Sequence, residues 1–285
     1  MSFPHTVILG ALAGFTIFLG LPIGRLQLLG NRARVAMAML SVGVLAFIFV
    51  DVLSNGISIV DAALTAAKQH RGSVAYLVWL VVLLAAGFAA GSAGLATIER
   101  QMRPLGRRTP PIAGGADAMT VSEADRLASE LDASRRRALR TGLTIAAAIG
   151  VHNFAEGLAI GVSARAGAIS LATVLIIGFA LHNSTEGFGI VGPLGEVKPS
   201  WRWIGLAGLI GGGPTFLGSM VGYAVTSHPL ELTFYAVAGG AILYVIGEVW
   251  NGMRRYGHRE LGLLMVTAGF IIGVLTDLIV TWGGG

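Results

Sequence analysis

Residues 142–163 read GLTIAAAIGVHNFAEGLAIGVS, an apolar stretch that nevertheless contains a histidine and a glutamate. It is as long as a transmembrane α-helix, which needs about 20 predominantly apolar residues. His152 and Glu156 are four residues apart, so their side chains lie on one face of such a helix. The same pattern, His-Asn-x-x-Glu-Gly, recurs at 182–187 in a second apolar stretch. Because ionisable side chains are costly in lipid, the repeated pair indicates a functional site.

The composition places the whole chain in a membrane. Hydrophobic residues make up 54% of the 285 residues and charged residues 12%, whereas soluble domains have about 25% charged residues. The chain contains no cysteine, which excludes disulfides and thiolate metal sites. The net charge of +5 comes from arginines between apolar stretches. We therefore expect the lipid bilayer, and not a nucleic acid, as the partner.

Eight apolar segments predict an all-α, polytopic membrane protein with eight transmembrane helices. The chain, 1–285, is expected to form a single membrane domain, with a loop at 98–140 between the third and fourth spans. The predicted spans are 5–28, 33–54, 73–97, 141–163, 168–192, 202–226, 230–252 and 261–283.

The basic residues predict the orientation of these spans. Seventeen of the 20 lysines and arginines fall on one side, nine of them in the 98–140 loop. The positive-inside rule makes that side cytoplasmic. We therefore expect a multi-pass protein of the cell (inner) membrane with both termini outside. Within the loop, 120–140 reads as a polar helix that leads into the fourth span.

The two motifs lie at similar depths in adjacent, oppositely directed spans, so their side chains can converge. His152, Glu156, His182 and Glu186 are the predicted ligands of a divalent transition metal ion, with Zn²⁺ or Fe²⁺ favoured and Mn²⁺ and Cd²⁺ also compatible. Asn153 and Asn183 could add amide oxygens or hydrogen bonds to the ligands. The alternative interpretation is that these groups only hydrogen-bond the helices together. A pair of motifs at matched depth favours the metal.

These motifs resemble the fourth- and fifth-helix signatures of the ZIP (Zrt/Irt-like) metal transporters. The resemblance extends over most of the chain, through eight spans, outward termini and a long cytoplasmic loop after the third span. It implies that spans 1–3 and 6–8 are inverted repeats around the 4–5 pair. It also implies import of divalent metal by alternating access, in which spans 1, 4, 5 and 6 move against spans 2, 3, 7 and 8.

Several positions depart from the family pattern. Ala155 and Thr185 stand where many members have proline, which predicts straighter helices at the site. Members with two metals often have an acidic residue at Asn183 and another in span 6, where this chain has glycine before Pro214. We therefore predict one principal metal ion. The Gly-Gly-Gly-Pro run at 211–214 predicts a break in span 6.

Three more acidic residues in the spans are candidates for the transport pathway. Asp51 and Asp277 are expected near the entrance, and Glu248 near the cytoplasmic exit. Asp277 also matches an aspartate in the last helix of the family.

Paired His-Glu motifs in apolar helices suggest three classes of function. A metal transporter is favoured, and a proton-linked carrier of another solute, with the His-Glu pairs as a proton relay, is the alternative. An intramembrane metalloenzyme is disfavoured because the chain contains no His-Glu-x-x-His motif. We expect no enzyme activity and no cofactor beyond the transported ion. The oligomeric state is left open, with a homodimer as one option.

Overall fold

The computed structural model describes residues 2–26, 30–102, 121–165, 182–224 and 227–284, and helices form all of the regular structure there. The α-helices are supplemented by a π-helical turn, Ala90–Gly94, and a 3-10 turn, Gly192–Leu194. The α-helices are α1 (Phe3–Phe15), α2 (Ile17–Leu26), α3 (Asn31–Lys68), α4 (Val74–Ala89), α5 (Leu95–Met102), α6 (Val121–Arg165), α7 (182–191), α8 (Trp201–Ala224), α9 (His228–Arg254) and α10 (Arg259–Gly284).

These helices confirm the predicted all-α, polytopic membrane architecture. Seven helical segments in the described ranges are long and apolar enough to cross a membrane. They correspond to predicted spans 1–4 and 6–8, with α1 and α2 together forming the first and α4 and α5 the third. The predicted fifth span is described only from residue 182, where α7 begins.

Two helices extend well past the predicted spans. The second span was expected to end at residue 54, but α3 continues to Lys68. Hydropathy falls after residue 54, but the alanines that follow have high helix propensity. The helix therefore continues beyond the end of the apolar stretch. Likewise α6 begins at Val121 and reaches the fourth span as one 45-residue helix. The prolines and glycines of the 98–140 loop lie at 104–115, outside the described residues.

The first and sixth spans pack antiparallel through glycines. A Cβ on Gly14 would overlap the carbonyl of Gly212, and the reverse holds as well. Small residues allow this backbone-to-backbone approach in membranes. Four glycines in α1 and α2 match four in α8 at a constant separation of 198 residues. They are Gly10, Gly14, Gly20 and Gly24, matched by Gly208, Gly212, Gly218 and Gly222.

The remaining outer spans repeat this correspondence. Gly43 of α3 packs on Gly269 of α10, and Gly91 of the π-helical turn packs on Gly240 of α9. If span 2 is equated with span 7 and span 3 with span 8, the contact between spans 2 and 8 becomes the contact between spans 7 and 3. The contacts thus agree with the inverted repeat of spans 1–3 and 6–8 that the family resemblance implies.

The central helices, α6 and α7, each attach to one member of this repeat. Gly157 of α6 packs on Gly218 of α8, and Gly187 of α7 packs on Gly20 of α2. Both glycines are the last residue of a His-Asn-x-x-Glu-Gly motif. The motif glycines therefore set the distance between helices directly beside the ionisable side chains.

The predicted break in span 6 is wrong. α8 runs without interruption from Trp201 to Ala224, with Pro214 inside it. Proline removes a helical hydrogen bond, but in a membrane protein neighbouring helices can satisfy the freed groups. The carbonyl that loses its helical partner is that of Ile210, four residues before Pro214. The carbonyl of the adjacent Gly211 accepts a hydrogen bond from the side-chain amide of Asn153, at 2.9 Å. The interruption occurs instead in span 1, at Thr16 between α1 and α2.

Candidate metal site

The two motifs bring their histidines together between α6 and α7. The ring centroids of His152 and His182 are 6.3 Å apart. Both motif segments are continuous helix, through Ala155 in α6 and Thr185 in α7. In each, a spacing of four residues places the histidine and the glutamate one turn apart on the same face. The helices therefore present two matched pairs of polar groups to each other.

Glu156 is the centre of the arrangement. Its Oε1 lies 3.0 Å from Nε2 of His152 and also contacts Nε2 of His182. One donor atom from each of these three residues lies within 4.8 Å of the others. A tetrahedral zinc ion, with bonds of about 2.0–2.2 Å, requires ligand atoms about 3.3–3.6 Å apart. A small outward shift of these side chains would create that geometry.

Glu186 lies at the edge of the group. Its Oε1 is 3.6 Å from Nε2 of His152, but the compact set of donors consists of His152, Glu156 and His182. The structure thus brings all four predicted ligands into one neighbourhood, with three in coordinating range and the fourth beside His152.

The site is nearly closed and contains two buried carboxyl groups. The side chains of His152, Glu156 and Glu186 are at most 3% exposed, whereas that of His182 is 11% exposed, so the site opens beside His182. Neither glutamate has a lysine or arginine partner in the described part of the chain. Both carboxylate oxygens of Glu186 are buried and have no hydrogen-bond donor there. Two buried carboxylates without a cation are unfavourable, and a divalent ion would neutralise both.

The two motif asparagines attach the site to the surrounding repeat. The side-chain amide of Asn153 donates to Gly211 in α8, and that of Asn183 donates to the carbonyl of Ala13 in α1, at 3.0 Å. Both amide oxygens are buried without a donor among the described residues. Each asparagine therefore ties its helix to a neighbouring span through its NH₂ group.

Sequence reasoning missed one polar residue next to the motifs. Ser41 of α3 is fully buried and donates to the main-chain carbonyl of Thr185, at 2.9 Å. The hydroxyl of Thr185 in turn donates to the carbonyl of His182, at 2.7 Å. A single serine in an apolar stretch is common, so no local pattern indicates that Ser41 contacts a residue 144 positions away.

One of the three predicted pathway residues, Asp51, lies near the site. The carboxylate of Asp51 in α3 is within electrostatic range of Asp277, Glu156 and both motif histidines. Its side chain also accepts a weak hydrogen bond from Asn55, at 3.4 Å. Asp277 of α10 is close enough to Asp51 to interact with it electrostatically, and the roles of both residues at an entrance stay predictions.

Glu248, the third pathway residue, belongs to α9. It is half-buried and lies six residues before the end of that helix. Its role at a cytoplasmic exit stays a prediction.

Comparison with known proteins identifies the family. A sequence profile described as "ZIP Zinc transporter" matches residues 120–272, more than half of the chain. Similar curated proteins include two named zinc transporter ZupT. The one from Clostridium perfringens is 27% identical over 157 residues, covering 52% of this chain and 53% of that protein. The one from Streptococcus mutans is 26% identical over 283 residues, covering 95% of this chain and 96% of that protein. The chain belongs to the ZIP zinc transporter family.

Proposed function

We propose that this protein is a transporter, and not an enzyme, that carries a divalent transition metal ion, zinc foremost, into the cytoplasm. The observation that supports this most directly is the compact set of donors from His152, Glu156 and His182 between α6 and α7, with the buried Glu186 beside it. The names of the two bacterial relatives support zinc as the substrate. Fe²⁺, Mn²⁺ and Cd²⁺ are compatible with the same ligands.

The ligand set suits an ion that must also leave. Two neutral imidazoles and two carboxylates balance the charge of a divalent cation, so binding offsets the cost of dehydration. The donors come from two helices, and His182 remains partly exposed. Asp51 and Asp277 would attract cations to the entrance, and Glu248 would receive them at the exit.

The distribution of contacts supports alternating access between two units, one of spans 1, 4, 5 and 6 and the other of spans 2, 3, 7 and 8. The glycine contacts between backbones join helices within a unit: α2 to α7, α6 to α8, α3 to α10, and the α4–α5 turn to α9. Contacts between the units include side-chain contacts, such as Ser41 on Thr185 and Phe154 on Phe234, with ring centroids 4.9 Å apart. Side chains can exchange partners during sliding more easily than interlocked backbones can.

The orientation is part of the proposal. The arginine distribution supports an inner-membrane protein with both termini outside and the 98–140 loop in the cytoplasm. The chain 1–285 would form a single membrane domain, and a homodimer is compatible with it. The positions of the glutamates and histidines do not depend on this orientation, but the direction of transport does.

Uptake into proteoliposomes tests the proposal. Vesicles containing purified protein and an internal zinc-sensitive dye would be challenged with external Zn²⁺. We expect Glu156→Gln and His182→Ala to reduce the initial rate at least about tenfold, since each removes a ligand. Glu231→Gln is a matched control, because Glu231 also lies beside a histidine, His228, at 3.7 Å but at the exposed start of α9.

The same vesicles separate metal transport from the alternative, a proton-linked carrier with the His-Glu pairs as a relay. An internal pH dye would report proton movement in the absence of metal. Proton flux that needs His182 but no metal would favour the carrier. Equal zinc uptake by wild type and Glu156→Gln would contradict the metal site itself.

A further inference from the structure

A cavity of about 520 Å³ lies between the ends of α3, α9 and α10, on helices other than the two that hold the metal site. Its volume is within the range of about 300–1,000 Å³ that is typical of small-ligand sites. The turn between α9 and α10 shapes its mouth, because Gly257 and His258 both have a positive φ, of 72° and 57°. Two consecutive left-handed residues reverse the chain sharply and bring the ends of both helices to one opening.

The cavity has an apolar floor. Val35 and Met39 of α3 and Met253 of α9 line it, and each is at most 4% exposed. Trp250 is half-buried at its side. Gly262 of α10 leaves room there, since a Cβ at this position would make only ordinary contacts with Met39 and Val35, at 3.5 Å or more. The interior therefore favours hydrocarbon over water.

The mouth of the cavity is basic. Arg254, His258 and Arg259 line it and are exposed. Across the described ranges, none of these three side chains has a hydrogen-bond or ion-pair partner. The adjacent Arg255 differs, because it donates to the carbonyl of Pro193, at 2.7 Å. Two guanidinium groups thus face the same opening without an anion.

We propose that this cavity binds the headgroup of an anionic phospholipid. The phosphate would lie between Arg254 and Arg259, which suit charge-assisted hydrogen bonds to its oxygens. The upper part of an acyl chain would pack on Val35, Met39 and Met253. A soluble phosphate compound would satisfy the arginines but leave the apolar floor wet, whereas a lipid satisfies both. Basic pockets between transmembrane helices, at the level of the headgroups, recognise such lipids.

Native mass spectrometry of the purified protein tests this inference. The protein would be titrated with dioleoyl phosphatidylglycerol and, separately, with dioleoyl phosphatidylcholine. We expect phosphatidylglycerol to bind more tightly, and the double variant R254Q/R259Q to bind it about thirtyfold more weakly, the factor for two arginines near an anionic headgroup. The control R135Q/R136Q removes the same charge from exposed positions of α6 and should retain wild-type affinity.

A second variant keeps the charge and fills the cavity. Gly262→Leu would project into the apolar floor and should weaken phosphatidylglycerol binding at least about tenfold, since the ligand loses its packing surface. Gly205→Leu is its control, because no atom lies within 4 Å of a Cβ at Gly205. Three outcomes would overturn the inference: equal affinity for the two lipids, equal losses in both arginine pairs, or displacement of the lipid by millimolar inorganic phosphate.

Discussion

Replacing Gly157 by alanine would press a methyl group against the backbone of α8. A Cβ at this position lies 2.8 Å from the amide nitrogen of Ser219 and 2.9 Å from Cα of Gly218. Carbon atoms in contact prefer about 3.5–4.0 Å. Because the obstacles are backbone atoms and not side-chain ends, no rotamer change can relieve the overlap. α6 and α8 would have to separate by about 1 Å.

The free energy of unfolding should report this separation. Overpacking costs about 1–3 kcal/mol, and a backbone obstacle argues for the upper half of that range. Alanine returns about 1 kcal/mol through its higher helix propensity. We therefore expect Gly157→Ala to lower the free energy of unfolding by about 1–2 kcal/mol.

A matched glycine isolates the packing effect. Gly205 of α8 has open space around its Cβ, so Gly205→Ala should show only the propensity gain, which is stabilising by up to about 1 kcal/mol. Reversible unfolding in mixed detergent and SDS micelles would measure both variants. If the two unfold with the same free energy, the proposed backbone contact between α6 and α8 is refuted.

Three further predictions concern the site. Asn153→Ala and Asn183→Ala should each lower the free energy of unfolding, measured in mixed micelles, by about 0.6–1.7 kcal/mol, as polar contacts between membrane helices do. Widely unequal losses would contradict the equivalence of their two bonds, which go to the matched spans 6 and 1. In isothermal titration, Glu186→Gln should weaken zinc binding less than Glu156→Gln does, because Glu186 lies at the edge of the donor set. A larger loss of affinity in Glu186→Gln than in Glu156→Gln would reverse the ligand assignment. Asp51→Asn should raise the KM for zinc uptake and leave kcat unchanged, with the difference shrinking at high salt, and an effect on kcat alone would exclude an entrance role.

The sequence predicted the chemistry of the site better than the course of the helices. His152 and Glu156 stand out because charged groups are rare in an apolar stretch, and a spacing of four fixes their common face. The end of α3 was missed because the apolar stretch and the helix end at different residues, 54 and Lys68. No break forms at 211–214, although glycine and proline favour one locally, because a broken helix would leave backbone groups that lipid cannot hydrogen-bond.

Other features depend on long-range contacts that no local pattern reveals. Ser41 meets a carbonyl on a helix far along the chain, and the cavity between α3, α9 and α10 requires three separate helix ends. The glycines that recur after 198 residues are visible in the sequence. Their role depends on contacts that the sequence does not show, because Gly20 and Gly218 pack against the two motif glycines.

The length of α3 provides an external handle for labelling. Its 38 residues span about 57 Å, nearly twice the ~30 Å hydrocarbon thickness, so the end that carries Lys68 projects beyond the lipid. Because the chain has no cysteine, K68C and R135C would each contain a single reactive thiol, on opposite faces of the membrane. A membrane-impermeant maleimide applied to intact cells should modify the first and spare the second. The reverse pattern would invert the topology, and the physiological direction of flux with it.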